Sequence, residues 1–176
     1  MSIDKALFRQ VAGSFASGVT VITTGRDGHY HGMTASAFTS LSIDPIMILV
    51  CVDRVSRTFP LLQSTGAFNI NILSTQQENY SRLFASKDAP EHGLRGIDFT
   101  IGSTGVPLLT DTLAFFECRT TQQFDGGDHV IFVGEVENAG FSEDLEPLLF
   151  YRGKYGHFEA LEAETSPGAA PRTDLV

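Results

Sequence analysis

The sequence predicts a mainly β domain, a closed antiparallel barrel flanked by a few short helices. Three observations carry this reading. Short runs of β-branched and aromatic residues recur along the chain, turn signals separate them at short intervals, and strand–helix–strand alternation is missing. No Gly-x-Gly-x-x-Gly follows a strand and no Gly-x-x-x-x-Gly-Lys-Ser/Thr loop occurs, which argues against a doubly wound nucleotide fold. At 176 residues the chain suits one domain with an adequate core, needing neither disulfide nor metal to fold.

The elements follow in order. Leu7, Val11 and Phe15 recur at spacing four behind a capping Asp4, which predicts an amphipathic helix ended by Gly18. Residues 18–24 alternate as a strand. Gly25-Arg-Asp-Gly28 is a hairpin turn, and residues 30–42 resume as one strand until Asp44-Pro45. The unbroken apolar run 46–52 predicts a strand buried on both faces. Residues 56–64 read as a short helix capped by Ser56 or Thr58, with Pro60 near its first turn.

Phe68, Ile70 and Ile72 alternate with Asn69 and Asn71, predicting a strand over 67–73. Residues 75–86 predict a helix with Tyr80, Leu83 and Phe84 on one side. Residues 87–112 are turn-rich and give no clear element. Two long strands, 113–124 and 129–141, flank Asp125-Gly-Gly-Asp128, and a last hairpin turns at Arg152-Gly153-Lys154. We expect a domain over 1–162 and a mobile tail over 163–176, where apolar residues almost vanish.

Composition narrows the function. Twelve basic against 21 acidic residues give a net charge of −9. Nucleic acid and anionic membranes need a basic face, so neither is an expected partner. One Arg with a few backbone amides can still hold a single phosphate. No apolar run approaches the ~20 residues of a spanning helix, and Asp4 and Arg9 interrupt what an export signal would keep apolar. Cys51 and Cys118 lie in apolar runs without a Cys-x-x-Cys pair, so they read as free buried thiols of a reducing compartment, and we expect a cytoplasmic protein. No Gly-x-Ser-x-Gly, His-Glu-x-x-His or carboxylate pair suggests hydrolysis. His29 and His31 share a strand face beside a turn and read as an exposed pair rather than a metal site.

Four segments are candidates for binding. Gly32 to Ser42 carries Gly, Ala, Ser and Thr where a core strand would carry Val and Ile. It is either a wall that a flat ligand can approach or a crowded barrel wall under large neighbours. Ser56-Arg57-Thr58 before a helix is either a phosphate cradle or an ordinary cap. Gly127-Asp128-His129 places an imidazole at a rim or merely in a turn. Phe150 to Tyr155 sets aromatic rings and cations around a Gly, to stack on a nucleotide or to close a hairpin.

In this order, the motifs Gly-Met-Thr-Ala-Ser-Ala-Phe-Thr-Ser-Leu-Ser-x-Asp-Pro (32–45), Val-Cys-Val-x-x-x-Ser-Arg-Thr (50–58), Phe-x-x-Asn-Ile-Leu (68–73), Gly-Asp-His (127–129) and Tyr-Arg-Gly-Lys-Tyr (151–155) resemble the flavin reductase-like family. These are the short-chain reductase components of two-component flavin-dependent monooxygenases. The resemblance implies an FMN-binding split β-barrel of Greek-key topology and a homodimer. It implies FMN or FAD reduced by NADH or NADPH, and reduced flavin passed to a partner oxygenase. By the same resemblance Thr34, Ala35, Ser36, Ser40 and Leu41 would line the isoalloxazine and ribityl chain. Ser56, Arg57 and Thr58 would hold the phosphate, and His129, Tyr151 and Arg152 would face the nicotinamide nucleotide. Hydride transfer is the cofactors' own chemistry, which agrees with a sequence showing no nucleophile and no strong base. A flavin-binding carrier without turnover is the other reading.

Overall fold

The computed structural model describes residues 3–86 and 94–161. Its centre is a seven-stranded antiparallel sheet. The strands are β2 (Thr20–Arg26), β3 (His29–Ala35), β4 (Phe38–Ile43), β5 (Ile46–Asp53), β6 (Ala67–Ile72), β9 (Ala114–Gly126) and β10 (His129–Phe141), in the order β3-β2-β6-β9-β10-β5-β4. The two edge strands, β3 and β4, are consecutive in sequence and joined only by Ser36 and Ala37. So short a link forces the sheet to curl until its edges approach at that corner.

Smaller strands complete it: β1 (Ser17–Gly18), the hairpin β7 (Phe99–Ile101) with β8 (Pro107–Leu109), and the hairpin β11 (Leu149–Tyr151) with β12 (Lys154–Gly156). The helices are α1 (Lys5–Ala12), α2 (Thr58–Thr65) and α3 (Glu78–Ala85), the last preceded by a 3-10 turn over Thr75–Gln77. The expected tail, 163–176, lies outside the described residues.

Several expectations change. The strand expected over 30–42 is two strands, because the chain turns the corner at Ser36-Ala37. β5 is not buried on both faces: Ile48, Val50 and Val52 point into the core while Met47, Leu49 and Cys51 are half-buried. The strands covered on both faces are β2 and β6. Ile22, Phe68 and Ile70 join one core cluster with Val50, Leu62 and Phe132, whereas Val19, Val21 and Leu73 join a second under α3 with Phe84 and Leu109.

Asn69 and Asn71 therefore face the interior, where they stay hydrogen-bonded as buried amides must. Asn69 donates to the Val106 and Pro107 carbonyls, and Asn71 to the Val21 carbonyl while accepting from Leu109 N–H. Helix α1 ends at Gly13, before Phe15, and Gly18 sits in β1. Asp4 caps it as expected, yet no α1 residue is buried, so Leu7, Phe8 and Val11 stay exposed.

Candidate flavin and nucleotide site

Two adjoining cavities gather most of the sequence candidates. One, of about 170 Å³, is lined by Thr34, Ala35 and Ser36 of the β3–β4 corner, by Ser81 and Ala85 of α3, and by Val19, Phe150 and Tyr155. The other, of about 370 Å³, is lined by His31 to Thr34, by Val55 to Thr58, and by Phe84, Ala85 and Ser86. Thr34 and Ala85 line both, so the small-residue wall runs directly into the Ser56-Arg57-Thr58 segment.

Local chemistry holds these walls in place. Thr34 Oγ1 donates to the Ser81 carbonyl (2.7 Å), tying β3 to α3. The Ser81 and Tyr155 hydroxyls are 2.8 Å apart, and the Arg82 guanidinium lies over the Tyr155 ring. The small residues have two different reasons. A Cβ on Gly32 would come within 2.8 Å of the Phe84 ring, so Gly32 makes room for α3 rather than for a ligand. Ala35 is a core residue whose carbonyl accepts from Thr20 Oγ1 (2.6 Å), while Ser36 is exposed. Ser40 and Leu41 lie on exposed β4, with Leu41 at a bulge between Ser40 and Ser42, away from both cavities.

The start of α2 departs from expectation in one respect. Arg57, not Ser56 or Thr58, occupies the N-cap position and makes no side-chain cap bond. The Ser56 hydroxyl nevertheless accepts from Phe59 N–H (3.2 Å), as a cap would. Thr58 is buried, and its Oγ1 lies 2.7 Å from His31 Nδ1. The expected exposed histidine pair is thus overturned. His29 is exposed, but His31 is only 8% exposed because α2 and α3 pack over its face of β3. Burial and then the Arg57 charge push the His31 pKa below the usual histidine value, which keeps the ring neutral.

A second group lies around α1. A cavity of about 630 Å³ is lined by Arg9, Gln10, Gly13 and Ser14 with Phe150, Arg152 and Gly153. Another, of about 690 Å³, is lined by Lys5, Phe8 and Arg9 with Ala37, Cys51, Asp128, His129 and Ile131. Arg9 lines both, and Phe150 joins the first to the small-residue wall.

Arg54 pins the β9–β10 turn. Its backbone N–H donates to the Asp128 carbonyl, its Nε to the Gly127 carbonyl, and its guanidinium pairs with Asp125. His129 is half-buried, with Nδ1 2.7 Å from Asp128 Oδ1, and that bond lowers the Asp128 pKa. Arg152 adopts a left-handed φ of 48°, its guanidinium touching Ser14 Oγ and lying over the Tyr151 ring. Tyr151 is exposed and lines none of these cavities. Sequence reasoning missed Arg9, Ser81, Ala85 and the role of His31. Ser81 and Ala85 had a signal in the expected α3 helix, but no local pattern says which strand that helix covers.

Cys51 and Cys118 are both free. Burial first, then the Glu117 and Glu137 charges, push the Cys118 thiol up to about 12, so it is inert. Among the described residues no cluster of three or more His, Cys, Asp or Glu could hold a metal ion, and no helix is long and apolar enough to cross a membrane.

Comparison with known proteins gives one consistent answer. Residues 12–159 match the family described as "Flavin reductase like domain". The chain is 36% identical over 174 residues to "Flavin-dependent monooxygenase, reductase subunit HsaB" of Rhodococcus jostii, covering 99% of this chain and 87% of that protein. It is 36% identical over 153 residues to "NADH-dependent FMN reductase AsuE2" of Streptomyces nodosus subsp. asukaensis, covering 84% and 82%. Its fold matches the Streptomyces globisporus NADH:FAD oxidoreductase SgcE6, solved in complex with NAD and FAD fragments. The TM-score is 0.84 at 34% identity, covering 92% of this chain and 96% of that one.

Proposed function

The chain belongs to the flavin reductase-like family, and from that premise we propose how its residues share the work of an NAD(P)H:flavin oxidoreductase. It reduces FMN or FAD with NADH or NADPH and supplies reduced flavin to an oxygenase partner. The observation that carries this reading is the pair of cavities sharing Thr34 and Ala85, because it joins a wall of small residues to an Arg at a helix start. A flat ring against small side chains and a phosphate on Arg57 is what such a pair fits.

Thr34, Ala35 and Ser36 line the ring and the start of the ribityl chain, and Ser40 and Leu41, outside both cavities, meet only a part of the flavin that reaches over β4. Ser56, Arg57 and Thr58 hold the phosphate. Thr34 Oγ1 already donates its hydrogen bond to the Ser81 carbonyl, so towards a ligand its hydroxyl oxygen acts as an acceptor. His129 and Arg152, with Tyr151 beside Arg152, meet the nicotinamide nucleotide on the α1 side. Bound flavin and nicotinamide supply the hydride chemistry themselves. The chain binds and orients them. No side chain has to take a proton from the nicotinamide.

Further parts of the reading rest on this one. We take the curled sheet as a split barrel closing at the Ser36–Ala37 corner, within a domain spanning 1–162. A homodimer is supported by exposed apolar side chains on α1 (Leu7, Phe8, Val11), at Phe15 and on the β4–β5 hairpin (Leu41, Ile43, Ile46). The Leu113–Cys118 run is partly or fully buried and adds little to that surface. A monomeric mass by light scattering at micromolar concentration would remove the dimer. The free thiols support a cytoplasmic location. Steady-state oxidation of NADH and NADPH with FMN, FAD and riboflavin tests the activity. Turnover with at least one pair is expected, and flavin binding without any turnover would return the chain to the carrier reading.

A further inference from the structure

We propose that His31 is a positioning residue whose Nδ1–H donates to Thr58 Oγ1 and so leaves the Thr58 hydroxyl proton for the flavin phosphate. The inference rests on the reading that Ser56, Arg57 and Thr58 hold that phosphate.

The geometry comes first. His31 Nδ1 and Thr58 Oγ1 are 2.7 Å apart, both side chains are buried, and both residues line the cavity that carries Arg57. Either atom can donate, since a neutral imidazole carries one N–H and a threonine hydroxyl both donates and accepts. The two arrangements differ in what they leave for a ligand. If Thr58 donates to His31, its only proton is consumed and it can offer a phosphate nothing but lone pairs. If His31 donates, Thr58 keeps its proton and becomes a donor to an anion.

The other ring nitrogen decides between them. His31 Nε2 is buried and has no hydrogen-bond partner among the described residues. With the proton on Nε2, a buried N–H donor would go unpaired, and orphaned buried N–H groups are rare. With the proton on Nδ1, that proton is paired and only a lone pair is left bare. The low pKa of the ring agrees, because a neutral ring must choose one tautomer. Thr58 is the first residue of α2, where backbone amides have no partner within the helix, so its amide and hydroxyl are both available to an anion at that helix start. His31 itself touches no phosphate; it acts through Thr58.

Two measurements test this. In flavin-free protein with ¹⁵N-labelled histidine at neutral pH, the His31 ring should show its proton on Nδ1. A proton on Nε2, or an imidazolium, would overturn the proposal, and this readout needs no variant to fold. The second is a set of dissociation constants for FMN and riboflavin. His31→Leu should weaken FMN about tenfold, the scale of one hydrogen bond to a charged group, and leave riboflavin within about twofold. His31→Asn, whose amide nitrogen falls where Nδ1 sits, should restore most of the FMN affinity. Arg57→Ala is measured in parallel. If it weakens FMN and riboflavin equally, the phosphate reading fails and takes this inference with it. If it discriminates while His31→Leu weakens both flavins equally, the phosphate reading stands and His31 is merely structural. Failure of His31→Asn to rescue would also overturn the proposal.

Discussion

The proposed flavin side and the proposed nicotinamide side of this molecule are built differently. On the flavin side, Ala35, His31 and Thr58 are core residues, Ala35 accepting from Thr20 of β2 and His31 bonded to Thr58 of α2, while the neighbouring Thr34 donates to Ser81 of α3. On the nicotinamide side, Asp128, Tyr151 and Arg152 are exposed at hairpin turns, and Arg9 stands on a helix with no buried residue. One short connection serves both: Asp53 pairs with His129 at the end of β5, and Arg57 begins α2 a few residues later. On the proposed reading, the flavin leans partly on packed residues such as His31, Ala35 and Thr58, whereas the pyridine nucleotide meets mostly exposed side chains.

The largest expected effect falls on the proposed flavin side, at exposed Arg57. Arg57→Ala should cost FMN about 1.5 to 3 kcal/mol of binding, the range for hydrogen bonds to charged groups. Riboflavin, lacking the phosphate, should bind as before, and NAD(P)H KM should hardly change. Equilibrium titration with both flavins checks this.

Next comes Gly32→Val. A Cβ there already meets Phe84 at 2.8 Å, so the bulkier side chain must displace α3, at about 1 to 3 kcal/mol for overpacking. Each 1 kcal/mol lost lowers the melting temperature by about 2–4 °C for a chain of this size. On the open side Gly156→Ala, whose Cβ meets nothing within 4 Å, should leave the melting temperature within about 1 °C. A comparable drop for both would erase the contrast.

His129→Ala should be milder. Losing one ordinary hydrogen bond to the nicotinamide nucleotide costs about 1 kcal/mol, or roughly a fivefold rise in NAD(P)H KM, with flavin affinity unchanged. Weakened flavin binding with normal NAD(P)H kinetics would move His129 across to the flavin side.

The smallest effect is on stability. His31 has its pKa lowered from 6.5 in the folded chain, so the unfolded chain binds more protons below that pH. Stability from this group is complete above about pH 6.5 and is lost as pH falls towards the folded pKa. His31→Asn should flatten that part of the profile. Glu117 acts lower down. Burial alone would raise its pKa, but hydrogen bonds from Ser103, Asn138 and the Thr104 and Ser103 amides outweigh it and lower it, so its share is lost as pH falls below 4.5. Chemical denaturation between pH 7 and 4 separates the two.

The sequence made some of this legible and hid the rest. Alternation and turn residues place both long strands, the last hairpin and the α3 helix, because those signals are local, whereas the β7–β8 hairpin falls in 87–112, where turn residues obscure any alternation. The segment Ser56–Thr58 is visible for the same reason. His31 is not, since its partner Thr58 lies 27 positions away and only the packing of α2 against β3 brings them together. Burial of Asn69 and Asn71 is likewise invisible, because their partners are carbonyls of β2 and of the segment leading into β8. The small residues of 32–36 are legible as an anomaly but not as a cause: Gly32 answers to Phe84, whereas Thr34 and Ser36 answer to a cavity.

The most direct test of the account is a single turnover. Protein loaded with FMN or FAD is mixed anaerobically with NADH or NADPH, and the absorption of the oxidised flavin is followed. It should disappear much faster than for free flavin, with the rate saturating in pyridine nucleotide, and Arg57→Ala should lose flavin occupancy more than the rate at full occupancy. Flavin that stays oxidised on the protein with both pyridine nucleotides would contradict the account.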